Sequence, residues 1–249
     1  MATHEADIAG ASLVRDYRAK TGAFDEMSDA DGAVRAHWQR YGAHVDRVGP
    51  GEFQRRHEQA MELIEEDGVS YNVYGDAHVS HRPWTVDLVP EILSEQEWLA
   101  IDRGIAQRAG LLNLILRDLY GPQKLVRNGL IPAEFIFANP AFLLPCYGLR
   151  APRERWLHFY AADVARGADG HWVVVADRTQ APSGAGYALE NRLVTTRIFP
   201  TITQECGVQR LAAFFERLRT TLRELALSNR DNPTIVLMSP GPAHETYFE

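Results

Sequence analysis

Two early stretches of the chain carry apolar residues at intervals of three and four. Val34, Trp38 and Tyr41 fall on one helical face, and the apolar residues of 53–64 fall on another. This spacing is typical of amphipathic helices, which bury one stripe and leave the other in water. The pattern predicts two helices, the second of which ends near Gly68.

Apolar residues alternate with polar ones at both ends of the next stretch, residues 69–88. The apolar positions are Val69, Tyr71, Val73, Trp84, Val86 and Leu88. A period of two predicts two strands, with a turn at Gly75-Asp76 between them. Pro83 and Pro90 bound the second strand, which favours an edge position because proline cannot donate to a strand ladder.

The clearest helical pattern begins at Ser94. Ser94 and Glu97 have the spacing of a capping box, and apolar residues then recur at threes and fours until Gly121-Pro122 ends the pattern. A second strong helix is predicted over residues 208–225. Residues 122–150, which are rich in Pro, Gly and apolar side chains, predict short strands and turns.

A hairpin is predicted over residues 156–165 and 171–177, with Gly170 supplying the positive φ of its tight turn. Residues 234–238 predict a buried strand followed by a turn rich in Pro and Gly. Such a strand should begin an α/β unit whose next element covers the sheet. We therefore expect an incomplete sheet and a chain that is the N-terminal part of a longer protein.

The predicted fold class is α+β or α/β, with N-terminal helices and a mixed sheet. Three segments are expected: a helical segment at 1–68, an α+β unit at 69–200 that contains the hairpin and a glycine loop, and a helix plus first strand at 201–249. The chain has 249 residues, which is enough for a sizeable core.

Charge and composition narrow the classes of function. The net charge of −7 disfavours nucleic acid as a partner, because such binders usually present a basic face. The sequence has no apolar run near 18 residues, so no membrane span is expected. Its N-terminus lacks the pattern of a secretory signal, and Cys146 and Cys206 are isolated, which is typical of reduced thiols in the cytoplasm.

Candidate chemistry is densest in residues 177–192, DRTQAPSGAGYALENR. A P-loop would need a lysine after its glycines, and a dinucleotide fingerprint would need a third glycine, so neither motif is present. What remains is a small-residue loop around Ser183, Gly184 and Gly186, whose backbone N–H groups could approach an anion closely. The alternative is a glycine turn required only for its dihedral angles.

Carboxylates and arginines flank this loop. If Asp163 and Asp177 share a face of the hairpin, they and the nearby Glu190 and Asn191 would supply the hard oxygen ligands that Mg²⁺ prefers. Arg178 and Arg192 would supply forks for phosphate oxygens. Counting residues does not decide the face, because the turn must be crossed. The alternative is a surface hairpin with salt bridges.

The stretches GIAQRAGLLNLILRDLYGPQKL, FYAADVARGADGHWVVVADRTQAPSGAGYALENR and IVLMSPGPAHETYFE resemble the circularly permuted ATP-grasp proteins of type 2. The sequence is similar in particular to glutathionylspermidine synthetase-like carboxylate–amine ligases. The resemblance runs through nearly the whole chain. It implies an ATP-grasp fold that holds ATP and Mg²⁺, phosphorylates a carboxylate and lets an amine displace the phosphate.

The resemblance also implies roles for particular residues. Asp163 and Asp177 match the strand positions of the metal ligands, whereas the amide ligand is ambiguous and Asn191, after Glu190, is the nearest candidate. Within the family, the 182–186 loop could instead be the flexible glycine loop over the phosphates. Arg178 and Arg192 would be the catalytic cations.

The implied partners are a small-molecule or peptide carboxylate and an amine. The chain's two lysines, Lys20 and Lys124, lie in no phosphate-clamping motif. We therefore expect the 249-residue chain by itself to bind ATP weakly or not at all. The alternative from another class is a non-catalytic module that keeps the fold to bind a peptide or a partner protein.

Overall fold

The structure, a computed structural model, describes residues 12, 14, 16–20, 22–71, 82–226, 232–239, 241, 242, 244 and 247–249. The predicted Gly75-Asp76 turn and strand position Val73 lie outside these residues. The described α-helices are α1 (Ala36–Val48), α2 (Pro50–Glu66), α3 (Glu95–Leu119), α4 (Lys124–Arg127), α5 (Ala133–Phe137), α6 (Ala185–Ile198), α7 (Pro200–Glu205) and α8 (Ala212–Glu224). Two antiparallel strand pairs accompany them: β1 (Ser70–Tyr71) with β2 (Arg82–Pro83), and β3 (Ala161–Arg166) with β4 (Trp172–Arg178).

The two predicted N-terminal helices are confirmed as α1 and α2. Gly49 separates them with a φ of 77°, which glycine adopts without strain. Pro50 then occupies the first turn of α2, where its missing N–H costs no helical hydrogen bond. Gly68, with a φ of 69°, follows the end of α2 as the sequence predicted.

One hydrophobic core joins α1 and α2 to α6 and α7. Phe199, between α6 and α7, is 1% exposed; its ring stacks on Phe53 and meets His44 edge-on, with centroid distances of 5.8 Å in both cases. Helices from the predicted segments 1–68 and 69–200 therefore share one core. Its buried residues on these helices are Trp38, Tyr41, Val45, Ala60, Ile64, Tyr187, Val194, Ile198 and Ile202.

The capping box at the start of α3 is confirmed. The Glu97 backbone N–H donates to Ser94 Oγ at 3.2 Å, and the Ser94 backbone N–H donates to Glu97 Oε2 at 3.3 Å. Glu97 also accepts from Arg166 of β3 at 2.9 Å, and Arg166 binds Glu26 at 2.5 Å. The Arg166 side chain is only 8% exposed. Because it binds both Glu97 and Glu26, it connects the hairpin to α3 and to the N-terminal segment.

At the start of the predicted strand at 84–88, the Trp84 N–H continues the β1–β2 pairing by donating to the Val69 carbonyl at 3.1 Å. The rest of the segment is extended and belongs to no strand pair among the described residues. The alternation holds, since Val86 and Leu88 are buried whereas Thr85 and Asp87 are exposed. The Tyr41 hydroxyl, however, donates to the Leu88 carbonyl. A side chain from α1 thus satisfies backbone that the sequence pattern assigned to a sheet.

Two stretches predicted without helices contain them. Residues 122–150 hold α4, α5 and a 3-10 turn at Leu144–Cys146 in place of short strands. Pro132, with a φ of −59°, directly precedes α5, and Pro145 lies within the 3-10 turn. The ring of proline fixes φ near the value that a helical turn requires. The second stretch is the C-terminal part of the glycine-rich segment, where α6 begins at Ala185.

Residues 234–238 do not form the predicted buried strand. They are extended, they pair with no strand in the described part of the chain, and Leu237 and Met238 are 90% and 91% exposed. The described elements thus give an α+β arrangement of helices and two small antiparallel sheets, where a mixed sheet was expected. None of the described helices is long and apolar enough to cross a membrane.

Candidate functional site

The predicted hairpin forms with Gly170 at its turn, but its first strand, β3, begins at Ala161 and not at 156. The pairing of β3 with β4 decides where its two acids point. Asp163 pairs with Ala176, whereas Asp177 pairs with Ala162. Residues directly opposite each other share a face, and successive residues of a strand point to opposite faces. Asp163 and Asp177 therefore lie on opposite faces of the hairpin.

The Asp163 face carries an exposed ion pair. Arg178 Nε donates to both carboxylate oxygens of Asp163, at 3.0 and 3.1 Å, and Nη2 donates to Oδ2 at 2.7 Å. The side chain of Asp163 is 44% exposed and that of Arg178 is 58% exposed. Hydrogen bonding to Arg178 lowers the pKa of Asp163, so the acid is ionised at neutral pH.

On the opposite face, the carboxylate of Asp177 accepts hydrogen bonds from two residues. Arg108 of α3 grips the carboxylate of Asp177 with Nε at 2.6 Å and Nη2 at 2.7 Å, and the Tyr160 hydroxyl donates at 2.6 Å. These bonds, the Arg108 fork first, lower the pKa of Asp177 to about 2. Burial and the bond to Asp177 raise the pKa of Tyr160, which keeps its proton on the phenol oxygen.

The 182–186 loop ends at the first turn of α6 and holds a carboxylate. The Gly184 N–H donates to both side-chain oxygens of Glu249, at 2.7 and 2.8 Å, and the Gly186 N–H donates to Oε1 at 2.9 Å. The positive end of the helix dipole adds to these charge-assisted bonds.

The two glycines of this loop have different reasons to be there. Gly184 has a φ of 116°, a conformation that side chains rarely adopt. Gly186 is helical, but a Cβ at this position would lie 2.7 Å from Glu249 Cγ. The first glycine therefore shapes the loop and the second lets an anion approach. Ser183, which precedes them, is exposed.

The triplet Glu190, Asn191 and Arg192 lies on α6, and its side chains contact three different elements. Burial, and then the charge of Asp67, raise the pKa of Glu190. Asn191 Oδ1 accepts from Trp84 Nε1 at 2.7 Å, and Arg192 Nη1 donates to the Gln209 carbonyl at 3.1 Å. Successive helical residues point about 100° apart, so they do not converge on one ligand.

The structure thus brings together part of the predicted site. Gly184 and Gly186 act jointly on one anion. Within the described ranges, no group of three or more His, Cys, Asp or Glu side chains is arranged to hold a metal ion. The proposed set of Asp163, Asp177, Glu190 and Asn191 is spread over both faces of the hairpin and over α6.

Comparison with known proteins identifies the family to which the chain belongs. Residues 90–249, which include the hairpin, the glycine loop and Glu249, match the family described as circularly permuted ATP-grasp type 2. The chain belongs to this ATP-grasp family. The resemblance carried by the hairpin and loop sequences is confirmed.

Relatives of this ATP-grasp chain include bacterial proteins of greater length. The uncharacterized protein sll0335 of Synechocystis sp. is 33% identical over 91% of this chain, and the chain covers 47% of that protein. The uncharacterized protein Rv2567 of Mycobacterium tuberculosis is 34% identical over 94% of the chain, which covers 28% of it. The chain thus spans about half, or less, of these relatives.

ATP-grasp proteins generally use ATP with Mg²⁺, and the two groups fit the described residues differently. The 182–186 loop fits a phosphate, because it already binds an anionic oxygen through two backbone N–H groups. A magnesium site built on Asp163 and Asp177 does not fit, because the acids face apart and each is held by an arginine.

Some residues of this candidate site were not expected from the sequence. Arg108 and Tyr160 hold Asp177, yet they lie 69 and 17 positions away from it. Glu249 lies 65 positions from Gly184. The one sequence signal was that Arg108 is a charged residue in the middle of the long helix α3.

Proposed function

We propose that the chain forms part of an ATP-dependent carboxylate–amine ligase of the ATP-grasp type. In this proposal the 182–186 loop and the first turn of α6 hold phosphate oxygens of ATP. Bound ATP supplies the phosphoryl group that activates a carboxylate for attack by an amine. Membership of the ATP-grasp family and the geometry of the loop support the proposal.

The single observation that carries it is the capture of the Glu249 carboxylate by Gly184 and Gly186. A carboxylate and a phosphate both present anionic oxygens to N–H donors. The side chain of Glu249 therefore occupies the position that we assign to a phosphate oxygen. Because the contact is at the loop mouth and Glu249 is exposed, nucleotide can displace it.

Arg178 is the cation nearest in sequence to this loop among the predicted catalytic residues. It lies at the end of β4, six residues before Gly184, and its side chain is 58% exposed. We propose that it exchanges its contact with Asp163 for a phosphate oxygen when nucleotide binds. Arg192 is a weaker candidate, because its guanidinium is half-buried and bonded to the Gln209 carbonyl.

The ligase proposal is tested by phosphate release from a polypeptide that contains this chain, incubated with ATP, Mg²⁺ and pooled carboxylates and amines. The expected result is release that requires both a carboxylate and an amine. Gly186→Ala is expected to abolish it. Gly51→Ala is the matched control, since Gly51 is likewise the second residue of a helix and a Cβ there meets none of the described atoms within 4 Å.

One observation supports the alternative of a non-catalytic binding module. Asp163 and Asp177 are each saturated by an arginine, as in a structural hairpin. In a polypeptide that turns over ATP, the ligase proposal expects Arg178→Gln to lower turnover without unfolding the protein, because the proposed phosphate contact is lost. ATP-independent peptide binding, with a folded Arg178→Gln variant unaffected, would favour the module.

A further inference from the structure

A cleft of about 310 Å³ lies between α3 and the segment that leads into β3. Its helix wall includes the small residues Ala109 and Gly110, and its other wall includes Arg155, His158 and Tyr160. This volume is at the lower end of the range of small-molecule sites. None of the side chains assigned to the phosphate loop lines it.

Two anchors hold the cleft open. At one end, Asn113 Oδ1 accepts from the backbone N–H groups of Trp156 and Leu157 at 2.8 and 3.0 Å. At the other end, the Tyr160 hydroxyl meets Asp177, which Arg108 binds from α3. The helix anchors are five residues apart, about 7.5 Å along the axis.

Small residues between these anchors explain why a space exists at all. Between Arg108 and Asn113, the α3 residues that line the cleft are Ala109 and Gly110, which have little or no side chain; Leu111 and Leu112 do not line it. A Cβ added at Gly110 would meet none of the described atoms within 4 Å. The segment is thus fixed at both ends over a stretch of helix that does not fill the gap.

The charges at the cleft favour an anion. Arg155 lines it and takes part in none of the ion pairs between described residues, whereas the neighbouring Arg153 binds Glu224 at 3.0 Å. The acid at the far anchor, Asp177, is neutralised by the Arg108 fork. Arg155, with its guanidinium fork, and His158, with its imidazole, line the same cleft, and both groups can donate to a carboxylate.

We propose that this cleft binds a small carboxylate, with its charge on Arg155 and His158 and its carbon chain against Ala109 and Leu157. The carboxylate class is favoured over phosphate because part of the lining is apolar, which suits the carbon chain of an organic acid. The inference goes beyond the nucleotide loop and does not depend on ATP binding.

The test is an NMR titration of the isotope-labelled 249-residue chain, without nucleotide, with succinate, succinamide and inorganic phosphate. Succinamide has the length of succinate but no charge. The expected result is a succinate-dependent shift of the Gly110 and His158 backbone amides, with an affinity at least about tenfold above that of succinamide or phosphate.

Two pairs of variants make the test specific to the cleft. Arg155→Gln is expected to weaken succinate binding about tenfold or more, whereas Arg153→Gln, two positions away, leaves it unchanged. Gly110→Leu fills the cleft and should abolish binding. Gly104→Leu makes the same change on α3, where a Cβ also meets none of the described atoms within 4 Å, and leaves binding intact.

The following results would overturn the proposal. Equal affinity for succinate and succinamide would show that Arg155 does not recognise charge. Preferential binding of phosphate would reassign the cleft to another anion. Unchanged succinate binding in a folded Arg155→Gln or Gly110→Leu variant would place the ligand elsewhere.

Discussion

Asp163 and Asp177 point to opposite faces of one hairpin, and each is paired with a different arginine. The two carboxylates are close along the ladder but electrostatically separate. Their arginines come from different elements, Arg178 from β4 itself and Arg108 from α3. The hairpin therefore presents two distinct charged surfaces.

The separation predicts that each acid responds to its own arginine alone. In Arg108→Gln, the pKa of Asp177 is expected to rise from about 2 towards the ordinary value of about 3.9, while that of Asp163 stays low. Arg178→Gln should raise the pKa of Asp163 only. Carboxyl ¹³C NMR titrations measure both. A shift of both acids in either variant would mean that they share a face.

The sign of the linked stability follows from the lowered pKa of Asp177. Its pKa is lower in the folded protein than in the unfolded chain, so the ion pair stabilises the fold above the unfolded value, about pH 3.9. That contribution is lost as the pH falls through about 2. The difference in unfolding free energy between wild type and Arg108→Gln should shrink over this window.

The shared core predicts a large cost for Phe199→Ala. Phe199 is 1% exposed and contacts the rings of Phe53 and His44, so its removal leaves a cavity between four helices. We expect a loss of about 3–5 kcal/mol in unfolding free energy by urea denaturation. Phe135→Ala, at a position 72% exposed, is the matched control and should cost less than about 0.5 kcal/mol.

A comparably small loss in both variants would contradict the shared core. In that case α6 and α7 would not pack on α1 and α2 as the structure has them. The unfolding slope would be measured for both variants, because an unchanged slope shows that only stability has altered.

Local signals in the sequence were sufficient for much of the fold. The capping box of Ser94 and Glu97 and the tight turn at Gly170 depend on residues a few positions apart, and both form as predicted. The period-two pattern at 84–88 shows the limit. Alternation indicates extended backbone, but it does not say whether a strand or the hydroxyl of Tyr41 bonds that backbone.

The candidate site was predictable only where one short segment builds it. The close approach that Gly186 permits could be expected from a glycine in a small-residue loop. The face of the hairpin to which Asp177 points could not be predicted. Val175 is unpaired in β4, and this extra residue shifts the register of the hairpin. The partners Arg108 and Glu249 come from distant parts of the chain, which no local pattern connects.

The affinity of the chain for nucleotide is expected to be low. The chain has only two lysines, Lys20 and Lys124, and neither occurs in the described contacts of the glycine loop. Calorimetric titration with Mg-ATP should give a Kd weaker than about 100 μM, that is, less than about 5.5 kcal/mol of binding free energy. Micromolar binding by the 249-residue chain would contradict this expectation.

Backbone amide NMR during an ATP titration shows whether Gly184 and Gly186 hold a phosphate of ATP. We expect millimolar ATP to move these two amides most. Glu249→Gln should strengthen the apparent affinity by removing the competing carboxylate, and Gly186→Ala should weaken it while Gly51→Ala does not. Unmoved Gly184 and Gly186 amides at ATP concentrations that shift others, or weaker binding in Glu249→Gln, would contradict the phosphate assignment.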